Sequence, residues 1–186
     1  MEEKNAVTDV EITISIIHGG GRAGPHEWGW VAAGYDLDEV ESLRLQLLAQ
    51  NDIGQVQKAM QQVGITVDRA LLRLVKRYNF DSPGLGFLYK NYRAWRNLAT
   101  RKGTLGDATY LVHEIAEVKE LQQIKGKTNF DFMKSDLKTG RESQLWEADF
   151  ERYYLQCHSK ALEAEYQFIA EQVFKITNGR VKISTL

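Results

Sequence analysis

The period at which apolar and polar residues alternate changes along this chain, and the changes mark its elements. From Val10 to Ile17 the period is two, with Ile12, Ile14 and Ile16 set against Glu11, Thr13 and Ser15, which predicts a half-buried strand. From Asp36 onward the period is that of a helix. Asp36 caps a helix carrying Leu43, Leu47 and Leu48, the segment Asn51 to Gly54 breaks it, and a shorter helix from Gln55 to Val63 stops at Gly64. Thr66 to Arg77 sets Val67, Ala70, Leu71, Leu74 and Val75 inward and Arg69, Arg73, Lys76 and Arg77 outward. Beyond the turn Asp81-Ser82-Pro83-Gly84, Leu85 to Ala99 gathers Phe87, Leu88, Tyr92, Trp95 and Leu98 on one face.

A further helix runs from Gly106 to Lys125, with Ala108, Leu111, Val112, Ile115, Val118 and Leu121 as its apolar stripe. Phe130, Phe132, Met133 and Leu137 anchor a short segment before a long helix opens at Thr139-Gly140-Arg141 and continues to about Lys175. Asn178-Gly179 is a turn, and Val181 to Ile183 a short strand able to pair with the N-terminal one. The expected fold is mainly α, a helical domain over residues 36–186 with a small N-/C-terminal β-element. Residues 1–35, a strand and a glycine-rich loop, form part of that domain or an arm.

Chemistry enters at His113-Glu114-Ile115-Ala116-Glu117. His113 and Glu117 lie one helical turn apart, so both side chains can converge on one metal ion, while Glu114, rotated by about 100°, sits beside it. A second helical stretch repeats the combination: Glu147, Glu151, Tyr154, His158 and Glu165 fall at helical spacing and set a histidine between carboxylates. Packed side by side, the two helices could enclose one metal site. Glu151, Glu165 and Tyr154 would support it, Glu151 or Glu165 holding the second ring nitrogen of His158. The plainer alternative is a pair of packed histidines with helix-forming glutamates around them.

Gly19, Gly21 and Gly24 match G-x-G-x-x-G, but Gly29 and Gly34 interrupt the segment where a helix would have to start and no second strand appears, so a dinucleotide site is not expected. His18 and His26 in this loop are reserve ligands only.

Composition narrows the choice. With 186 residues, 43% hydrophobic, the chain is long enough for one main domain with a sizeable core. The single cysteine, Cys157, excludes an internal disulfide framework and a cysteine-built zinc site, leaving His, Asp and Glu to hold any metal. The N-terminus has no basic n-region and Ile12 to Ile17 is too short to span a membrane. The expectation is a cytoplasmic protein, or one exported by a non-Sec route, with no membrane partner. Charge is uneven: residues 1–68 carry a net −7 and residues 69–102 a net +8. Within that basic block Lys90, Arg93, Arg96, Arg101 and Lys102 interleave with aromatics, a pattern that suits phosphate or nucleic acid as well as a solvated helix back.

His113-Glu114-Ile115-Ala116-Glu117 resembles the HExxH helix of zincin metallopeptidases, with glutamate in place of the second histidine. The resemblance implies His113 and Glu117 as ligands, Glu114 as the general base toward a metal-bound water, and His158 as the third ligand from a downstream helix. Zinc is the first metal such a site implies; the carboxylate ligand also admits Mn, Fe or Mg. The chain is also faintly similar to the C-terminal effector modules of bacterial polymorphic toxins, some of which carry such helices.

Three function classes remain. The first is a zincin-like metal-dependent hydrolase acting on a peptide or phosphate-containing substrate. The second is a Mg-dependent nucleotide or nucleic-acid phosphohydrolase built on Glu114, Glu117, Glu147 and Glu151, resembling the acidic clusters of all-α nucleotide pyrophosphohydrolases. The third is a non-enzymatic helical interaction module.

Overall fold

The computed structural model describes residues 29–30, 33–81, 87–125 and 140–178, with side chains left aside at 37–38, 124–125 and 140–154. Among these residues the fold is all helix: α1 (Leu37–Ala49), α2 (Ile53–Gln62), α3 (Arg69–Phe80), α4 (Tyr89–Ala99), α5 (Leu105–Lys125) and α6 (Gly140–Ile176). The expected strands at Val10 to Ile17 and Val181 to Ile183, the glycine-rich loop with His18 and His26, and the segment from Phe130 to Leu137 lie outside the described residues.

Local chemistry sets the helix starts. Asp68 caps α3 by accepting from the Leu71 amide at 2.7 Å. Thr104 and Asp107 open α5 reciprocally: the Thr104 hydroxyl accepts from the Asp107 amide at 3.2 Å, and Asp107 Oδ2 accepts from the Thr104 amide at 2.8 Å. The same oxygen accepts from Asn97 Nδ2 at 3.2 Å, which ties the end of α4 to the start of α5. Several boundaries differ from the sequence expectation, and α2 begins at Ile53, inside the segment expected to break the chain. α3 begins at Arg69 and runs on to Phe80, because Tyr78, Asn79 and Phe80 are all buried and packing prolongs the helix past Arg77. α4 begins at Tyr89.

α5 is the central element, packed against α3, α4 and α6. Its predicted stripe is buried throughout: Ala108, Leu111, Val112, Ile115, Val118 and Leu121 are each less than 9% exposed. α6 folds back antiparallel along it, since Gln156 donates to Glu120 at 2.8 Å while His113, about two turns earlier on α5, meets Glu165, farther along α6. Gln172 closes the far end by donating to the Val63 carbonyl at 3.0 Å.

The other side of the core is aromatic. Trp30 is fully buried, its indole N–H donating to the Phe87 carbonyl, with the rings of Tyr35, Phe87, Tyr89 and Tyr92 around it. Lys76 corrects an expectation. It points inward, 5% exposed, its ammonium 2.7 Å from Asp52 and 2.8 Å from the Gln50 carbonyl. Trp95 Nε1 donates to the other Asp52 oxygen at 2.9 Å, and the ammonium lies 5.7 Å from the Trp95 ring centroid. A long alkyl stem lets a lysine on an otherwise basic face bury its charge where a carboxylate receives it.

Candidate metal centre

Burying the apolar stripe of α5 fixes the rotation of that helix, and rotation decides where His113, Glu114 and Glu117 go. His113 and Glu117, one turn apart, reach the α6 side, where Cys157 is buried and carries its neighbour His158 into the seam. His113, Glu117 and His158 each offer a ligand atom there, all within 4.8 Å of one another. The two imidazole rings stand 4.9 Å apart at 65°. Donors around a tetrahedral ion at 2.0–2.2 Å are about 3.4 Å from each other, so closing on a metal asks each donor to move by about 1 Å or less. Two separate helices thus bring together the three residues singled out in the sequence as candidate ligands.

His113 Nδ1 donates to Glu165 Oε2 at 2.9 Å, the two side chains being 14% and 17% exposed. The sequence offers Glu151 or Glu165 as the partner of His158; the structure places Glu165 on His113. The reason is axial: His158 and Glu165 are two turns apart on one helix, about 10 Å of rise, while the antiparallel partner helix carries His113 level with Glu165. The side chains of Glu147, Glu151 and Tyr154 lie outside the described residues.

Glu117 is 4% exposed; its Oε1 has no hydrogen-bond partner. Burial, and then the negative charge of Glu114, push its carboxyl well above the usual range, against a hydrogen bond from Tyr78. Glu114 is 9% exposed. Burial pushes it up to about 7, while a hydrogen bond from Asn79 and the charge of Lys90 pull the other way.

Asn79 is the hub behind Glu114. Its Oδ1 accepts from the Tyr110 hydroxyl at 2.9 Å and from Asn91 Nδ2 at 3.0 Å, and its Nδ2 also donates to the Val75 carbonyl at 3.1 Å. Tyr110 is itself held protonated by burial and by the charges of Glu114 and Glu117. Tyr78, Asn79, Asn91 and Tyr110 were missed by the sequence reading. The available signal was asparagine on an apolar face: Asn79 one turn after Val75, and Asn91 on the side of Trp95 and Leu98.

The basic candidates do not converge in this way. Lys90, Arg93, Arg96, Arg101 and Lys102 are exposed on α4 and in the turn after it. Arg96 lies 5.4 Å from the Tyr92 ring centroid and donates to its hydroxyl at 2.8 Å. Lys90 is the one whose charge reaches Glu114. Among the described residues no helix is long and apolar enough to cross a membrane.

No protein-family model matches the chain, and no curated protein or solved structure matches it.

Proposed function

We propose that this chain is a metal-dependent hydrolase whose ion is held by His113, Glu117 and His158, with Glu114 as general base. The observation that carries the reading is the convergence of three donors from two helices within 4.8 Å. Two imidazoles and one carboxylate suit zinc first, with iron and manganese next. Such a set would leave room for a water, and the chemistry a bound ion would supply there is Lewis acidity that lowers the water's pKa. Glu114, buried and titrating at about 7, has the proton affinity to take the proton as the water attacks a carbonyl or phosphoryl centre. Glu117 Oε1, buried and without a hydrogen bond, is an acceptor that a cation would satisfy.

Elemental analysis of the wild type beside His113→Ala and His158→Ala tests the site. The expected result is about one equivalent of a transition metal in the wild type and none in either variant. Glu114→Gln should keep the metal and lose about 10²- to 10⁴-fold in turnover of a peptide or phosphodiester substrate. Binding of Mg alone, retained by both histidine variants, would replace this reading with a carboxylate-based phosphohydrolase. Absence of any metal would leave the interaction module.

A further inference from the structure

The contact between His113 and Glu165 has a consequence for metal binding that the three ligands alone do not have. A neutral imidazole carries one proton and one free lone pair, and whichever nitrogen bears the proton cannot bind metal. Glu165 takes a hydrogen bond from Nδ1 at 2.9 Å, with both side chains largely withdrawn from water at 14% and 17% exposed. That contact assigns the proton to Nδ1 and the lone pair to Nε2. It also fixes the plane of the ring, because Glu165 sits on α6 while His113 sits on α5, so the hydrogen bond spans the hairpin and locks ring rotation to helix packing. A carboxylate on the far nitrogen further strengthens the near nitrogen as a donor.

We infer that Glu165 is a positioning residue for the metal centre: it presents the Nε2 lone pair of His113 to the ion and sets the affinity of the site, without itself being a ligand. The inference rests on the metal site proposed above. It assigns different roles to two carboxylates: Glu117 binds the ion, and Glu165 acts through a histidine. The contact seen for Glu165 is with His113, so Glu165 variants should act on the centre through that histidine.

The test is Zn(II) affinity by competition with a chromophoric chelator, on the full chain as wild type, Glu165→Gln, Glu165→Ala, Glu117→Gln and His113→Ala. Glu165→Gln keeps a carbonyl acceptor for Nδ1 but loses the charge, so affinity should fall about 10-fold, and Glu165→Ala, which loses the acceptor, should fall about 100-fold. Both should still bind one equivalent; Glu165→Ala also removes a hydrogen bond across the hairpin and lowers the midpoint in chelator, whereas Glu165→Gln should keep that midpoint close to the wild type while losing affinity, which a purely structural role would not produce. The d–d spectrum of Co(II)-loaded Glu165→Ala should shift, reporting a reoriented His113. Unchanged Zn(II) affinity in both Glu165 variants overturns the inference while leaving the metal site intact. Loss of stoichiometric binding in Glu165→Ala, matching His113→Ala, also overturns it, since Glu165 would then be a ligand. Failure of the wild type to bind Zn(II) removes the site itself and is recognised before any variant is compared.

Discussion

Protein stripped with a chelator should lose stability as pH rises from 5 to 8, the reverse of the trend that salt-bridged carboxylates produce. Glu114 ionises at an ordinary value of 4.5 in the unfolded chain and is pushed up to about 7 in the fold, burial being the main cause. Between those values the folded state holds a proton that the unfolded state has released. The unfolded state therefore binds fewer protons, and stability falls with rising pH. The stabilisation is fully present below 4.5 and gone above about 7. At 1.36 kcal/mol per pH unit the shift is worth roughly 3 kcal/mol. In a chain of this size 1 kcal/mol moves the midpoint by 2–4 °C, so the expected fall is about 6 to 12 °C. Glu117 is raised in the same direction by the same burial and adds to the slope.

Differential scanning calorimetry in chelator at half-unit pH steps measures this, with Glu114→Gln as reference because it removes the titration and keeps the shape. The wild-type midpoint should fall relative to the variant across this range; parallel profiles would mean that Glu114 takes up no proton on folding. Adding Zn(II) should flatten or invert the wild-type profile, because the ion requires an ionised Glu117 and neutral histidines and so gains affinity as pH rises.

Three further outcomes are expected from the rest of the fold. Lys76→Met leaves Asp52 buried beside Trp95 without its cation and should cost about 3–5 kcal/mol in urea unfolding, while adding Asp52→Asn should recover most of the loss; equal costs for the single and double variants would be inconsistent with a buried ion pair. Gly103→Ala would place its Cβ 2.7 Å from Leu98 Cδ2 and 3.3 Å from Leu98 Cα, so a destabilisation of about 1–3 kcal/mol is expected, and a stabilised variant would contradict the close approach. Cys157 is 2% exposed and its thiol is pushed up to about 12, first by burial, so a thiol reagent should label it only as the protein unfolds; labelling at the rate of a free cysteine in native buffer would contradict its burial.

Periodicity is the part of this structure that the sequence made legible. The stripe on α5 fixed which of its residues faced the core, and every one of the six is buried. The one-turn spacing of His113 and Glu117 survived for the same reason, and His158 met them because the second stripe gave α6 a facing side as well. The mainly helical class was legible too. Periodicity carries no information on how far one helix slides along another, and the pairing of Glu165 depends on that slide: it fell to His113 rather than His158. Lys76 was misplaced because its outward neighbours are all basic, and no local pattern records that Asp52, 24 residues earlier, waits inside. The Asn79 hub was hidden because its four partners come from three helices, each polar group looking like an isolated exception on its own face.

The polar groups buried around α5 differ in how well they are balanced. Lys76, Asp52 and Trp95 partner one another, so neither buried charge is left uncompensated. Glu114 and Glu117 do not reach that balance: each has hydrogen-bonding support from one neighbour, Asn79 or Tyr78, and each is nonetheless raised by burial and by another carboxylate. Hydrophobic residues of similar volume would serve the packing of α5 better than two such groups. Their placement is therefore not explained by stability, while a cation among His113, Glu117 and His158 would reverse the sign of the electrostatic cost for both at once. Replacing Glu117 with leucine should accordingly raise the midpoint of the chelated protein at pH 8 and abolish the Zn(II)-dependent gain. If Glu117→Leu instead lowered that midpoint, the carboxylate would be contributing to the fold itself, and its burial would need no cation to offset it.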